Sequence, residues 1–182
     1  DAFKQHMLDE LRSAAAAHDK LFYFYAPHVA HEPLEVPRSF AQRFDFIVEE
    51  CESRGAKGEG LYRCKERATY AAMVAYLDAA MGELVSLLKE LGRYGSSLFA
   101  FTADNGGPTY CKDPTWDPGC AGGNAFPLRG AKLSNWEGGV RSVAFVSGGA
   151  LPARVRGSKR TGLIGVYDWW ATFASIAGAP LT

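Results

Sequence analysis

Apolar positions along the 182-residue chain follow two different periods. Between residues 2 and 18, Phe3, Met7, Leu8, Leu11 and Ala15 recur at helical spacing and predict a helix with one buried face. The strongest pattern spans residues 61–91. There Tyr70, Met73, Val74, Leu77, Met81, Leu84, Val85, Leu88 and Leu91 step by three and four, which predicts a long amphipathic helix closed by Gly92. Its Met and Leu stripe reads as core. A third helix is predicted from Asp168, as its cap, through Ile176, with Trp169, Trp170, Phe173 and Ile176 turned inward and Gly178 at its end. Residues 21–26 form an aromatic run without polar alternation, which predicts a strand buried on both faces, as parallel strands are. Residues 97–102, 143–146 and 163–166 predict three more strands. Residues 38–60, with Glu49, Glu50, Glu52 and three glycines, read as a loop or poorly ordered excursion. Strand, helix, strand, loop, strand, helix is an α/β order, and predicts a mixed, largely parallel sheet flanked by helices.

Composition changes this picture little. The length suits one domain, 47% of residues are hydrophobic and the formal net charge is zero, all ordinary for a globular chain. Nothing in the charge balance points to nucleic acid. Arg154, Arg156, Lys159 and Arg160 cluster among Gly and Ser without interleaved aromatics and read as a solvated loop, with phosphate or glycan binding as the alternative. No apolar run approaches the ~20 residues of a membrane helix. The first twenty residues are polar and alanine-rich, unlike a signal peptide, and open in what reads as mid-helix. Of four cysteines, Cys111 and Cys120 flank a Pro/Gly-rich loop where a disulfide fits an oxidising compartment; four free thiols is the alternative.

Candidate chemistry gathers between residues 102 and 141. The apolar run ending at Thr102 breaks into Asp104-Asn105-Gly106-Gly107-Pro108, a polar turn at the carboxyl end of a strand, where ligands bind in α/β sheets. A carboxylate beside a carboxamide offers hard oxygens suited to Ca²⁺ or Mg²⁺; a metal-free Asx-turn is the plainer reading. Gly106 and Gly107 would let a ligand approach closely. Leu128-Arg129-Gly130-Ala131-Lys132 and Trp136-Glu137-Gly138-Gly139-Val140-Arg141 follow, and Ala30-His31-Glu32-Pro33-Leu34 forms another polar turn upstream.

In this order and approximate spacing, over residues 21–178, the motifs D-N-G-G, L-R-G-x-K and W-E-G-G-V-R with H-E-P-L resemble the sulfatase family of the alkaline phosphatase-like superfamily. The arylsulfatase B-like branch, acting as N-acetylgalactosamine-4-sulfatases do, is the one most resembled. The resemblance implies that Asp104 and Asn105 ligate Ca²⁺ or Mg²⁺. It implies that Lys132 contacts a sulfate oxygen and that His31 sits beside the sulfate, able to bond the ester oxygen and protonate the leaving alcohol. Both are therefore catalytic and substrate-binding candidates. Arg129, Glu137 and Arg141 are read as bracing the site, with Glu137 and Arg141 paired to hold the Lys132 loop, and Trp136 as packed.

One part of the family pattern is missing. Sulfatases act through a formylglycine made from a C/S-x-P-S/A-R motif, and neither Cys51-Glu52-Ser53-Arg54 nor Cys64-Lys65-Glu66-Arg67 fits it. The resemblance thus implies a partial domain: residues 1–182 as the middle-to-C-terminal part of a sulfatase catalytic domain, with formylglycine and further metal ligands upstream, and an isolated chain without activity. The function implied is metal-dependent hydrolysis of sulfate esters on a small molecule or glycan. The alternatives are a catalytically dead domain that binds sulfated glycans, and a phosphatase or phosphodiesterase of the same superfamily. Lysosomal, extracellular or periplasmic placement is implied by the family; the particular ester, the choice of cation and the oligomeric state stay open.

Overall fold

The computed structural model describes residues 2–17, 20–109 and 122–179. They fall into two compact units, Asp1–Leu151 and Pro152–Thr182. In the first unit α1 (Ala2–Ala16), α2 (Arg38–Ala41), α3 (Asp45–Ser53) and α4 (Glu59–Glu90) precede any strand. Helices α1 and α4 lie where the periodicity predicts, and their facing stripes make the core. Met7 and Leu8 of α1 pack with Leu84, Leu87 and Leu88 of α4, and Leu11, Tyr23, Tyr25 and Phe99 close around them. Lys4 Nζ reaches Glu83 Oε1 at 2.8 Å across the helix pair. Arg93 Nη2 donates to the Ala14 carbonyl at 3.2 Å, satisfying an end-of-helix acceptor of α1. Gly92, at φ +67°, ends α4 in a Schellman turn: Arg93 N–H bonds the Leu88 carbonyl and Gly92 N–H the Lys89 carbonyl.

Helix α4 is long and apolar enough to cross a membrane by length and composition alone, which the sequence reading had denied to every segment. Here it is a core helix, burying Ala68, Ala72, Met73, Ala80, Leu84, Leu87 and Leu88, with α1, α2 and α3 packed against it.

Residues 38–60 are a correction. Residues 38–53 are helical, not a loop, and only 54–58 form a turn: α2 and α3, joined by a turn of 3-10 helix over Gln42–Phe44, lie along α4. Phe40 meets Tyr76 edge-on at 5.2 Å, and a disulfide joins Cys51 of α3 to Cys64 of α4. Glu49, Glu50 and Glu52 make the segment read as solvated, yet they are exposed positions of α3, which Cys51 ties to α4, while Phe40 packs α2 on the same helix. The disulfide foreseen between Cys111 and Cys120 lies outside the described residues.

The sheet is a second correction. Among the described residues the strands are β1 (Phe99–Thr102) and β2 (Ala144–Ser147), paired antiparallel with Phe99 opposite Ser147 and Thr102 opposite Ala144; no parallel pair occurs. Phe101 stacks on Phe145 at 4.9 Å. Residues 21–26 belong to no strand, and they alternate: Tyr23 and Tyr25 turn to the core while Phe22 and Phe24 are 70% and 82% exposed. Residues 163–166 are likewise not a strand.

Between β1 and β2 the one-turn α5 (Glu137–Val140) completes the first unit. The second unit carries α6 (Asp168–Ala177), closed by Gly178 at φ +74° in another Schellman turn. Asp168 does not cap α6 forwards; its Oδ2 accepts from Gly165 N–H at 2.7 Å. Trp169 stacks on Phe173, but Trp170 and Ile176 face out, so the fully inward stripe predicted for this helix is not formed.

Candidate active site

The antiparallel pair continues one step past β1, with Ala103 N–H bonding the Val143 carbonyl at 2.9 Å, and then delivers Asp104 and Asn105 at the strand's carboxyl end. Asp104 is exposed and Asn105 half-buried. Asn105 Nδ2 donates to the Gly106 carbonyl at 2.9 Å, so the lone pairs it offers a ligand are those of Oδ1.

Glycines join the three motifs by backbone contact. Gly106 N–H bonds the Gly139 carbonyl at 2.8 Å, and Gly138 N–H bonds the Arg129 carbonyl at 2.8 Å. A Cβ on Gly106 would stand 1.8 Å from the Gly138 oxygen, one on Gly138 2.2 Å from the Gly130 oxygen, and one on Gly139 2.2 Å from the Ser134 oxygen. No side chain fits at these positions. Their role is chain-to-chain approach, in place of the ligand approach read from the sequence for Gly106.

The same junction sets Lys132. Its N–H bonds the Gly107 carbonyl at 3.2 Å, tying the L-R-G-x-K loop to the D-N-G-G turn. Ser134 Oγ accepts from Ala131 N–H and donates to the Ala131 carbonyl, pinning the turn that presents Lys132. Leu133 holds φ +72°, a left-handed conformation rare for leucine that costs on the order of 1–3 kcal/mol. From this strained turn Lys132 Nζ reaches His31 Nε2 at 2.9 Å. His31 Nδ1 lies 3.0 Å from the Glu32 carbonyl, which only accepts, so Nδ1 carries the proton and Nε2 accepts from the lysine.

Arg129, Glu137 and Arg141 belong to the two turns that these glycines join. The Arg129 guanidinium stacks 3.6 Å from the Trp136 ring, which is 51% exposed. Arg141 Nη1 and Glu137 Oε2 lie 3.5 Å apart on the single turn of α5, both exposed. A cleft of about 480 Å³ opens beside His31, lined by His28, Val29, Glu32, Pro33, Glu35 and Met73. Its lining does not include Lys132, Asp104 or Asn105.

Two participants escaped the sequence reading. Arg67 of α4 donates to the Gly122 carbonyl at 2.8 Å, and Gly123 packs so closely on Pro108 that a Cβ there would meet its oxygen at 2.4 Å. Through them α4 supports the D-N-G-G turn from behind. The adjacent Gly122-Gly123 pair was the available signal.

Asp104 and Asn105 suit a hard cation by type, but Ca²⁺ takes roughly six to eight oxygens. Among the described residues no cluster of three or more His, Cys, Asp or Glu is placed to hold a metal ion. The donors here do not make a complete site.

The comparisons with known proteins agree with the motifs. The sulfatase family model matches residues 1–179. The chain is 31% identical to Arylsulfatase J of Mus musculus, over 95% of this chain and 25% of that protein, and 32% identical to Arylsulfatase A of Homo sapiens, over 94% and 30%. The crystal structure of Ps i-CgsB in complex with k-i-k-neocarrahexaose superposes with a TM-score of 0.79 at 29% identity, covering all of this chain and 34% of that one. The chain thus spans a quarter to a third of the length of these relatives, and its fold is that of the alkaline phosphatase-like superfamily. With its family model matched from end to end and its three glycine-linked motifs in place, the chain belongs to the sulfatase family.

Proposed function

We propose that this chain serves in the hydrolysis of sulfate esters, with sulfated sugars as substrate class, and that His31 and Lys132 meet the sulfate group. The 2.9 Å contact between Lys132 Nζ and His31 Nε2 carries the reading, because it brings a cation and an imidazole to one point from distant parts of the chain. Sulfate ester hydrolysis builds negative charge on the transferring group and on the leaving oxygen, as phosphoryl transfer does. Lys132 supplies a compact ammonium to the sulfate oxygens, an interaction that strengthens as that charge grows. When the ammonium turns from His31 to the sulfate, the Nε2 lone pair is released to take a proton from solvent water, and the imidazolium so formed returns that proton to the leaving alcohol oxygen as its bond to sulfur breaks. Arg129, Glu137 and Arg141 act indirectly, keeping the two glycine-rich turns in place.

Asp104 and Asn105 would contribute two oxygen ligands to a Ca²⁺ or Mg²⁺, a cation that would supply charge to polarise the sulfate. The sugar class is supported by the 26% identity to N-acetylgalactosamine-6-sulfatase of Sus scrofa. The Cys51–Cys64 disulfide supports an oxidising location, secretory or periplasmic. That disulfide also consumes the two cysteines whose surroundings loosely resemble a formylglycine motif. With no C/S-x-P-S/A-R motif elsewhere in the 182 residues, they offer no formylglycine nucleophile, and the chain by itself is inactive on sulfate esters.

The test assays aryl sulfate hydrolysis with Ca²⁺ or Mg²⁺ for this chain alone and for the longest reading frame containing it, in a host that forms formylglycine. Turnover is expected only from the longer protein, with loss in its Lys132→Ala variant. Turnover by the chain alone, abolished by His31→Ala, would overturn the account of the nucleophile. A longer protein that binds sulfated glycan without turnover would favour a binding domain.

A further inference from the structure

We propose that the loop at residues 154–160 of the second unit binds sulfated polysaccharide, through sulfate groups other than the one hydrolysed. The polymer class rests on the sulfate-ester reading above; the cationic site itself does not. Arg154, Arg156, Lys159 and Arg160 are all exposed. Residues 138–167 contain no Asp or Glu, and the one carboxylate of the second unit, Asp168, bonds the Gly165 N–H. Positive charge here is concentrated without acidic residues among it.

The loop is also built. Val155 N–H bonds the Pro152 carbonyl, Arg156 N–H the Ala153 carbonyl, and Ser158 bonds the Val155 carbonyl through both N–H and Oγ. Gly157, at φ +71°, reverses the chain between Arg156 and Lys159. Cations carried on a turn already folded lose less freedom on binding than cations on a loose tether. Three of the four are arginines, whose planar fork matches paired oxygens of a sulfate. A polymer bearing sulfates at intervals offers several such partners at once.

Other polyanions fit less well. Leu163, Ile164 and Val166 are exposed beside the loop, but their backbone is neither helix nor strand, so insertion in a membrane would bury unpaired amides. Single-stranded nucleic acid is held by aromatics set among the cations, and none stands between Arg154 and Arg160.

The experiment measures binding of the purified 182-residue chain to dextran sulfate between about 50 and 200 mM salt. Neutral dextran, phosphatidylserine vesicles and poly(U) are separate arms. Dextran sulfate should bind and neutral dextran should not. Replacing Arg154, Arg156, Lys159 and Arg160 by Ser should weaken binding about tenfold or more and flatten the slope of log K against log salt by about three, at roughly 0.7–0.9 per neutralised anion. Lys substitutions at the three arginines should restore most of it, and circular dichroism should show both variants folded. Lys57→Ala, which removes an exposed cation of the first unit, should bind dextran sulfate as wild type does. Unchanged binding by the Ser variant, or tighter loop-dependent binding to vesicles or poly(U), overturns the proposal. Loop-dependent dextran sulfate binding in a protein whose longer form lacks sulfatase activity would sustain this site and reject the proposed reaction.

Discussion

Lys132 and His31, 101 positions apart, meet through Nζ and Nε2 at 2.9 Å. The contact needs His31 in one tautomer, and the backbone selects it: the Glu32 carbonyl, 3.0 Å from Nδ1, can only accept. The imidazole is therefore held by its own neighbour and addressed by a lysine from another motif. On the proposed reading, an arriving sulfate would compete with Nε2 for the same ammonium.

Two residues in direct contact should not act independently. In the longest reading frame carrying this chain, Lys132→Ala is expected to lower turnover of an aryl sulfate by ~10²-fold or more, the scale for one preorganised electrostatic contact. Exposed Lys57→Ala is the control. The double variant with His31→Ala should fall short of the product of the single effects, with a coupling of about 0.5–3 kcal/mol. Additive losses would mean that the two side chains serve separate steps.

The cation assignment has its own readout. Asp104→Ala in the longer protein should lower both bound Ca²⁺ or Mg²⁺ and turnover, whereas Asp9→Ala, on exposed α1, should change neither. Metal content by elemental analysis decides it, and equal content in the Asp104 variant removes that residue from the ligand set.

How far the sequence anticipated this depends on what carried the signal. Helices α1 and α4 announce themselves through apolar residues at helical spacing, and Gly92 and Gly178 mark the ends because both adopt positive φ. The aromatic run at 21–26 misled, since composition does not distinguish Tyr23 and Tyr25, packed on the core, from Phe22 and Phe24, turned out. Residues 38–60 misled because acidic residues on an outer helix face look like a solvated loop. At the site, the resemblance to sulfatase motifs names Asp104, Asn105, His31 and Lys132 as candidates. The junction holding them is made of backbone carbonyls and missing Cβ atoms, and no side chain advertises such a contact.

That junction gives a prediction for stability. Gly106→Ala places a methyl 1.8 Å from the Gly138 oxygen, backbone that cannot swing aside, and should destabilise the chain by at least about 3 kcal/mol. Gly82→Ala, on the exposed side of α4 with nothing within 4 Å of the new Cβ, should instead stabilise it by about 0.5–1 kcal/mol. Urea denaturation of the two variants, read against wild type, checks the opposite signs.

The Cys51–Cys64 bridge closes a short loop between α3 and α4, with a sequence separation of 13. Closing a loop of this size restricts the unfolded chain by about 3 kcal/mol. Cys51→Ser with Cys64→Ser should lose that much, and a reducing agent should lower the wild-type urea midpoint at least as far as the variant's. A wild-type midpoint indifferent to reductant would mean that the bridge does not form.

Glu66 makes stability depend on pH in a direction that can be derived. Burial against its surroundings on α4 raises its pKa above the ordinary 4.5, and a hydrogen bond from Tyr62 offsets only part of this. The folded chain therefore keeps the proton to higher pH than the unfolded chain does. In the interval between the two values the folded state binds more protons, so stability falls as pH rises through it and stays lower once both states are ionised. Glu66→Gln removes the carboxylate and with it this loss. The variant should be more stable than wild type at pH 7, with the advantage shrinking as pH falls to the ordinary carboxylate range and below, where Glu66 is neutral in both states. Denaturation of both proteins across that range is the measurement, and an advantage that does not change with pH would show that burial of the charge is not its source.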